Sequence, residues 1–347
     1  MRAVLAVALL ALVDCISSGV MHRSRDSSVD VVVVSDEADA ALDILLKLAR
    51  GDVTDSADWL RLTRSEGYRR LQARESSMGR AFTDSSFRAF LLSDTLRRRT
   101  GRLEAALPRY RSLDIRSAAA QAIGYLPPGA RIVARLYPMI KPRTNTFVFS
   151  SDSIAGIFLY VDPARTAAQE HNTITHELHH IGYSTVCDLH TDSTESPGMQ
   201  MLRQRMFAFG EGLAMLAAAG GPDFHPHAAS DTADRNRWDR DIRNVAGAMG
   251  DLDKFFQDVA DRRIASPDSV LRMAMTFYGE QGPWYTVGWQ MASTIEKVRG
   301  RRRLLEVMCS PLDLMKEYNS SARAMMSRGS PPMPVWNESL LEGLVRH

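Results

Sequence analysis

Apolar positions change their period along this chain. From residue 36 to about 120 they recur at three- and four-residue spacing: Ala41, Ile44, Leu45 and Leu48, then Trp59, Leu62 and Tyr68, then Phe82, Phe87, Phe90 and Leu91, with arginines between. That is the period of helices with one buried stripe. A helical N-terminal region is therefore expected over 36–123, Gly51 stopping its first helix. Ahead of it, residues 21–35 read as a flexible polar linker. The linker ends in Val31-Val32-Val33-Val34, a run that suits either a short strand or an apolar lead-in to the first helix.

Gly124-Tyr125-Leu126-Pro127-Pro128-Gly129 is turn material, and after it the period is two. Over 131–137, Ile132, Ala134 and Leu136 alternate with Val133, Arg135 and Tyr137, and Pro138 is expected to end the strand. Residues 146–149 and 157–161 read as two more strands, Gly156 marking a bulge or a close backbone approach. Asp162-Pro163 then offers an N-cap and a first-turn proline for a helix to about Ile181, with Gly182 as its C-cap. Further on, 199–219 is apolar and helical, 231–275 reads as charged helices, and another apolar helix opens at Tyr285 after Gly282-Pro283. The whole is an α+β pattern, mostly α, with a short twisted sheet opening the region 124–347.

The helix after the sheet carries His176-Glu177-Leu178-His179-His180. Four residues apart, His176 and His180 lie on one face and can reach one metal ion. Glu177 sits beside that face, placed to hold a water rather than the metal. Ile174, Leu178 and Ile181 fall on the other side and would fix the helix to a core. His179 suits packing or support of the ligands.

A catalytic zinc ordinarily takes a third protein ligand. A histidine six residues after His180 is excluded, because that position is Val186. Glu195 stands in Thr-Glu-Ser-Pro-Gly, which reads as loop. Glu211 stands among Phe209, Leu213 and Met215, where an unpaired carboxylate would be costly and a zinc ion would be a partner. Cys187, His190, His225 and His227 are further ligands by residue type.

The pair His176–Tyr183 (HELHHIGY) and Gly210–Leu216 (GEGLAML) resembles the gluzincin peptidases, and looks most like a sparsely characterised group of bacterial proteins described as zinc-dependent peptidases. The resemblance extends more loosely to 59–68 and to Tyr285-Thr286-Val287-Gly288-Trp289. It implies a zincin-like fold whose sheet edge, formed by 157–161 or a neighbouring strand, pairs with an extended peptide or protein substrate. It implies one Zn2+ held by His176, His180 and Glu211, Glu177 as general base, and a tyrosine on the oxyanion. Tyr285 is the candidate for that role and Tyr278 the reserve. One departure stands out: thirty residues separate His180 from Glu211, more than gluzincins usually have, and 187–198 would accommodate the excess as a loop.

Composition adds two points. Lys+Arg 43 against Asp+Glu 41 leaves a net charge of +2, which gives no ground for a nucleic-acid partner. Residues 1–20 join a short positive start to an apolar run of signal-peptide length, too short to span a bilayer. Export to the periplasm, the medium or the cell envelope is expected. Cys15 stands where a lipoprotein signal places its acylated cysteine, although Asp14 occupies a position such signals give to a small residue; lipidation would be the chain's one membrane contact. In an oxidising compartment Cys187 and Cys309 could pair. The rivals to a peptidase are a zinc hydrolase of a non-peptide amide and an exported zinc-binding or scaffold protein.

Overall fold

The valine run becomes a strand. In this computed structural model, which describes residues 28–150, 154–188 and 194–346, β1 (Val29–Val33) pairs in parallel with β2 (Ile132–Met139), Val31 opposite Ala134. Part of the segment read as a linker thus forms a sheet edge. The leader, Cys15 and His190 lie outside the described residues. β2 pairs in parallel with β4 (Ala155–Tyr160), and β3 (Phe147–Phe149) closes the other edge antiparallel to β4, giving the order β1-β2-β4-β3. The strand at 157–161 is therefore interior, and β3 is the edge on that side.

Pro138 does not end β2 as expected. Leu136 accepts from Val34 on the β1 side, and Met139 accepts from Val161 on the β4 side. Pro138 shares the parity of Leu136, so the N–H it lacks would face the β1 side, where β1 has already ended opposite Leu136. Gly156 is in regular register and forms no bulge. A Cβ there would meet the Phe158 and Tyr137 rings at 3.0 and 3.2 Å, so the close approach is the reason for glycine.

Seven helices precede β2: α1 (Asp36–Arg50), α2 (Ser56–Arg64), α3 (Glu66–Ser77), α4 (Asp84–Leu91), α5 (Asp94–Arg97), α6 (Thr100–Arg111) and α7 (Ile115–Ile123). Gly51 does end α1, in the left-handed conformation. The alternation of β2 decides which layer each residue meets. Tyr137 and Arg135 face α3, where they bond Glu66. Ile132 faces α8 (Ala167–Ser184), where Gly182 packs against it.

Helix α8 begins and ends later than its sequence signals. Asp162 accepts from Ala164 N in a turn, and the cap is Thr166, which exchanges side-chain bonds with Gln169. Gly182 lies inside the helix rather than at its end. A Cβ there would come within 2.2 Å of Leu126, so the glycine serves packing.

The expected single helix over 199–219 is two. α9 (Pro197–Met206) ends in a 3-10 turn at Phe207–Phe209, and α10 (Gly210–Ala219) starts anew. The long spacing between His180 and Glu211 thus holds a helix, α9. α11 (Thr232–Arg243), α12 (Val245–Ala260) and α13 (Pro267–Thr276) follow, then α14 (Pro283–Arg299), α15 (Arg301–Val307), α16 (Pro311–Ser327) and α17 (Glu338–Arg346). α10 is clasped between α8 and α14. A Cys187–Cys309 disulfide ties the end of α8 to the α15–α16 junction. No helix among the described residues is long and apolar enough to cross a membrane.

Candidate metal centre

Three features fix the HExxH turn. The capping box at Thr166 starts α8. Buried Glu170 accepts from the Tyr110 hydroxyl at 2.6 Å and from Arg165 at 3.0 Å, which ties the first turns to α6. Leu178 and Ile174 are buried, as the sequence predicts for the packing side. These contacts leave His176 and His180 turned toward α10.

α10 brings Glu211 to them. The carboxylate sits in the first turn, where the helix dipole favours an anion. Its Oε2 lies 3.2 Å from His176 Nε2 and 3.0 Å from His180 Nε2, and the two imidazole nitrogens are 3.0 Å apart. Glycine makes this placement feasible: a Cβ on Gly212 would fall 2.0 Å from Trp289 N, so α10 and α14 touch through their backbones.

Three lone-pair atoms within 4.8 Å of one another repel unless a proton or a cation joins them. Two imidazole nitrogens and one carboxylate oxygen form the donor set of a catalytic zinc with an open position. The donor set and its convergence fit zinc. Without a metal the protein uses protons: burial disfavours the His180 cation, but the Glu211 carboxylate outweighs it and holds that imidazole up at about 9. Burial would likewise raise Glu211, but the two imidazoles hold its carboxyl far below the usual range.

Glu177 lines a cleft together with His176, and no hydrogen bond joins it to either imidazole among the described residues. Burial raises its carboxyl above the ordinary value, and the two imidazoles pull it back only part of the way. Tyr285, in the first turn of α14, stacks on His176 with ring centres 6.3 Å apart. Burial, then the Glu211 charge and a hydrogen bond to that carboxylate, raise its phenol strongly, so it remains a donor. Tyr278 is raised too, by burial and then by Glu211.

The other candidates separate cleanly. His179 is buried on the core side, its Nε2 3.2 Å from the Tyr125 carbonyl, and burial lowers it to about 3. Cys187 is occupied by its disulfide. Glu195 pairs with Arg203 and His225 with Asp239. His227 does line the cleft, neutral because burial lowers it to about 4. The cleft, of about 280 Å³, also exposes Thr173, Gln169, Arg165 and, across from them, Thr144 and Thr146. None of these was singled out in the sequence, although Thr173 and Gln169 stand one and two turns before His176 and the helical period could have named them.

Comparison with curated proteins finds no match, and none is found among solved structures. One family does match, over residues 59–325, and this takes in the sheet from β2 onward, the stretches His176–Tyr183 and Gly210–Leu216, and Tyr285. The chain belongs to that family, described as "Putative zinc dependent peptidase (DUF5700)".

Proposed function

We propose that the protein hydrolyses peptide bonds in exported or extracellular peptides, with one zinc ion held by His176, His180 and Glu211. The observation that carries this reading is the meeting of those three donor atoms at a cleft whose wall includes His176 and Glu177. Bound by these residues, zinc would supply Lewis acidity toward water and the scissile carbonyl. Glu177 takes the proton from water and passes it to the leaving amine; its raised carboxyl suits both halves of that exchange. Tyr285 keeps its proton and donates a hydrogen bond to the oxyanion, with His227 on the same cleft as a neutral second donor. The Cys187–Cys309 disulfide supports export, since such bonds persist in oxidising compartments.

The test is cleavage of a diverse peptide library read by mass spectrometry, comparing zinc-loaded wild type with Glu177→Gln. Cuts made by the wild type, abolished by a chelator and reduced at least about a thousandfold in the variant are expected, with zinc content unchanged. Equal cutting by both proteins would remove Glu177 as the base. A fully loaded wild type that cuts nothing would favour a non-peptide amide substrate or a binding role.

A further inference from the structure

The sheet separates the zinc cleft from a second cavity of about 470 Å³ on its α3 face. Four aromatic rings, Phe82, Phe87, Phe90 and Phe147, make it mostly apolar, and its lining carries three cations, Arg80, Lys141 and Arg143, against the single carboxylate of Glu75. Glu75 is already engaged by Arg74 and, at 3.7 Å, by Arg80. Arg143 is exposed, and no carboxylate among the described residues forms an ion pair with it. The cavity therefore offers apolar volume beside an unspent positive charge.

We infer that this cavity is part of the substrate-binding surface, taking a large apolar side chain of an extended peptide that carries an acidic residue two positions away. The inference rests on the peptidase reading above and adds the substrate's chemistry to it. Continuity with the zinc cleft is the first support. Thr144 and Thr146 line the zinc cleft, while Arg143 and Phe147 line the aromatic cavity. One short segment, running from a bend at 142–143 into the start of β3, borders both, Arg143 and Phe147 on one side and Thr144 and Thr146 on the other. β3 ends the sheet, so its outer main-chain groups have no strand partner among the described residues. A peptide that adds to this edge alternates its own side chains between the two faces. A substrate reaching the zinc along β3 thus sends every second side chain toward the aromatic cavity. An acid on that same face, two residues from the apolar one, meets Arg143.

The wall is also braced by contacts of its own. Lys141, only 2 % exposed, donates to the carbonyls of Arg143, at 2.6 Å, and Asn145. Phe147 is held between the Arg74 guanidinium, 3.9 Å from its ring centre, and the Phe158 ring at 5.0 Å. A preformed pocket loses little ordering entropy on binding. Exposed Ala81 and Ser86 leave its mouth open.

The experiment uses decapeptides on a Ser-Ala background, with Phe and Asp two residues apart in either order and the pair moved along the peptide. Controls replace Phe by Ala or Asp by Lys. Cleavage is followed with zinc-loaded wild type, and binding of fluorescein-labelled copies with zinc-loaded Glu177→Gln by anisotropy. At least one register should be preferred about tenfold or more over its Ala control, the least that burying a phenyl group gives. Ala81→Trp, or Ser86→Trp if the first fails to fold, should bring that ratio near one, and Arg143→Glu should reverse the preference for Asp over Lys. Cleavage with no preferred register, or a preference both variants leave intact, overturns the pocket and leaves the peptidase standing. Peptides that bind Glu177→Gln in an Ala81-dependent way yet survive the wild type keep the pocket and overturn the peptidase. Neither binding nor cleavage in any register overturns both.

Discussion

Glu37, under the sheet, and Glu211, beside α8, are both carboxylates taken out of bulk water, and the two regions treat them in opposite ways. Glu37 is 1 % exposed and accepts one hydrogen bond, from Ile140 N at 3.0 Å. Among the described residues no cation forms an ion pair with it, and the Lys141 charge lowers its carboxyl less than burial raises it. Burial pushes its carboxyl up to about 8, so near neutrality it is mostly protonated. Glu211 meets two imidazoles and stays ionised. Glu170 shows a third arrangement, an Arg165 guanidinium and the Tyr110 hydroxyl on one oxygen. The difference separates two uses of a buried acid. A proton suffices where the group serves packing, whereas lone pairs that converge from two helices form a group that could hold a metal ion.

The comparison breaks most violently at the glycines beside each acid. Gly212→Ala would force a Cβ to 2.0 Å from Trp289 N and 2.3 Å from the Gly288 carbonyl carbon, with no side chain able to yield. The expected cost is upwards of about 4 kcal/mol, together with loss of bound zinc. Gly67→Ala, beside Glu37, meets side-chain atoms at 3.1 and 3.3 Å, and helix propensity offsets part of the crowding. A change within about 1 kcal/mol is expected there. Urea unfolding and metal analysis of the two variants measure both. A stable, zinc-loaded Gly212→Ala protein would mean that α10 and α14 do not need backbone contact to place Glu211.

Next in size is the direct exchange of the acids. Glu211→Gln should weaken zinc binding about a hundredfold, close to 3 kcal/mol, by removing the anionic donor. Glu37→Gln should leave zinc affinity unchanged. Competition with a chromophoric chelator reads both. Equal zinc affinities for Glu211→Gln and the parent protein would take Glu211 out of the ligand set.

What could be read from the sequence follows how local each signal is. The spacing of His176 and His180 is a property of one helix, and the alternation over Ile132 to Tyr137 of one strand, so both were legible. Glu211 was legible for a different reason: a charge inside an apolar stretch demands a partner. The break of 199–219 at Phe207–Phe209 carries no proline and was not legible, nor was the parallel pairing of β1 with β2 across about a hundred residues of chain. Gly182 and Pro138 misled because their usual local meanings were overruled by neighbours, Leu126 in one case and the end of β1 in the other. The aromatic cavity needed the fold, since α3, α4 and β3 build it from distant stretches.

The smallest effect is the most particular to the Glu37 side. Its folded value, about 8, stands above the unfolded 4.5. The folded protein therefore binds more protons than the unfolded chain between those values, so this group's stabilising contribution is whole below pH 4.5 and is lost as pH rises toward 8. The slope approaches 1.4 kcal/mol per pH unit for one proton, and relaxation of the site reduces it, so about 2 kcal/mol between pH 5.5 and 7.5 is expected. Gln cannot titrate, yet its amide oxygen can still accept from Ile140 N. The difference in unfolding free energy between Glu37→Gln and the parent should therefore move in the variant's favour as pH rises across that window. Denaturant titrations at the two pH values test it. A difference that stays flat would mean that Glu37 is ionised in the folded protein, with a cation or water reaching it, and the contrast with Glu211 would then be one of degree.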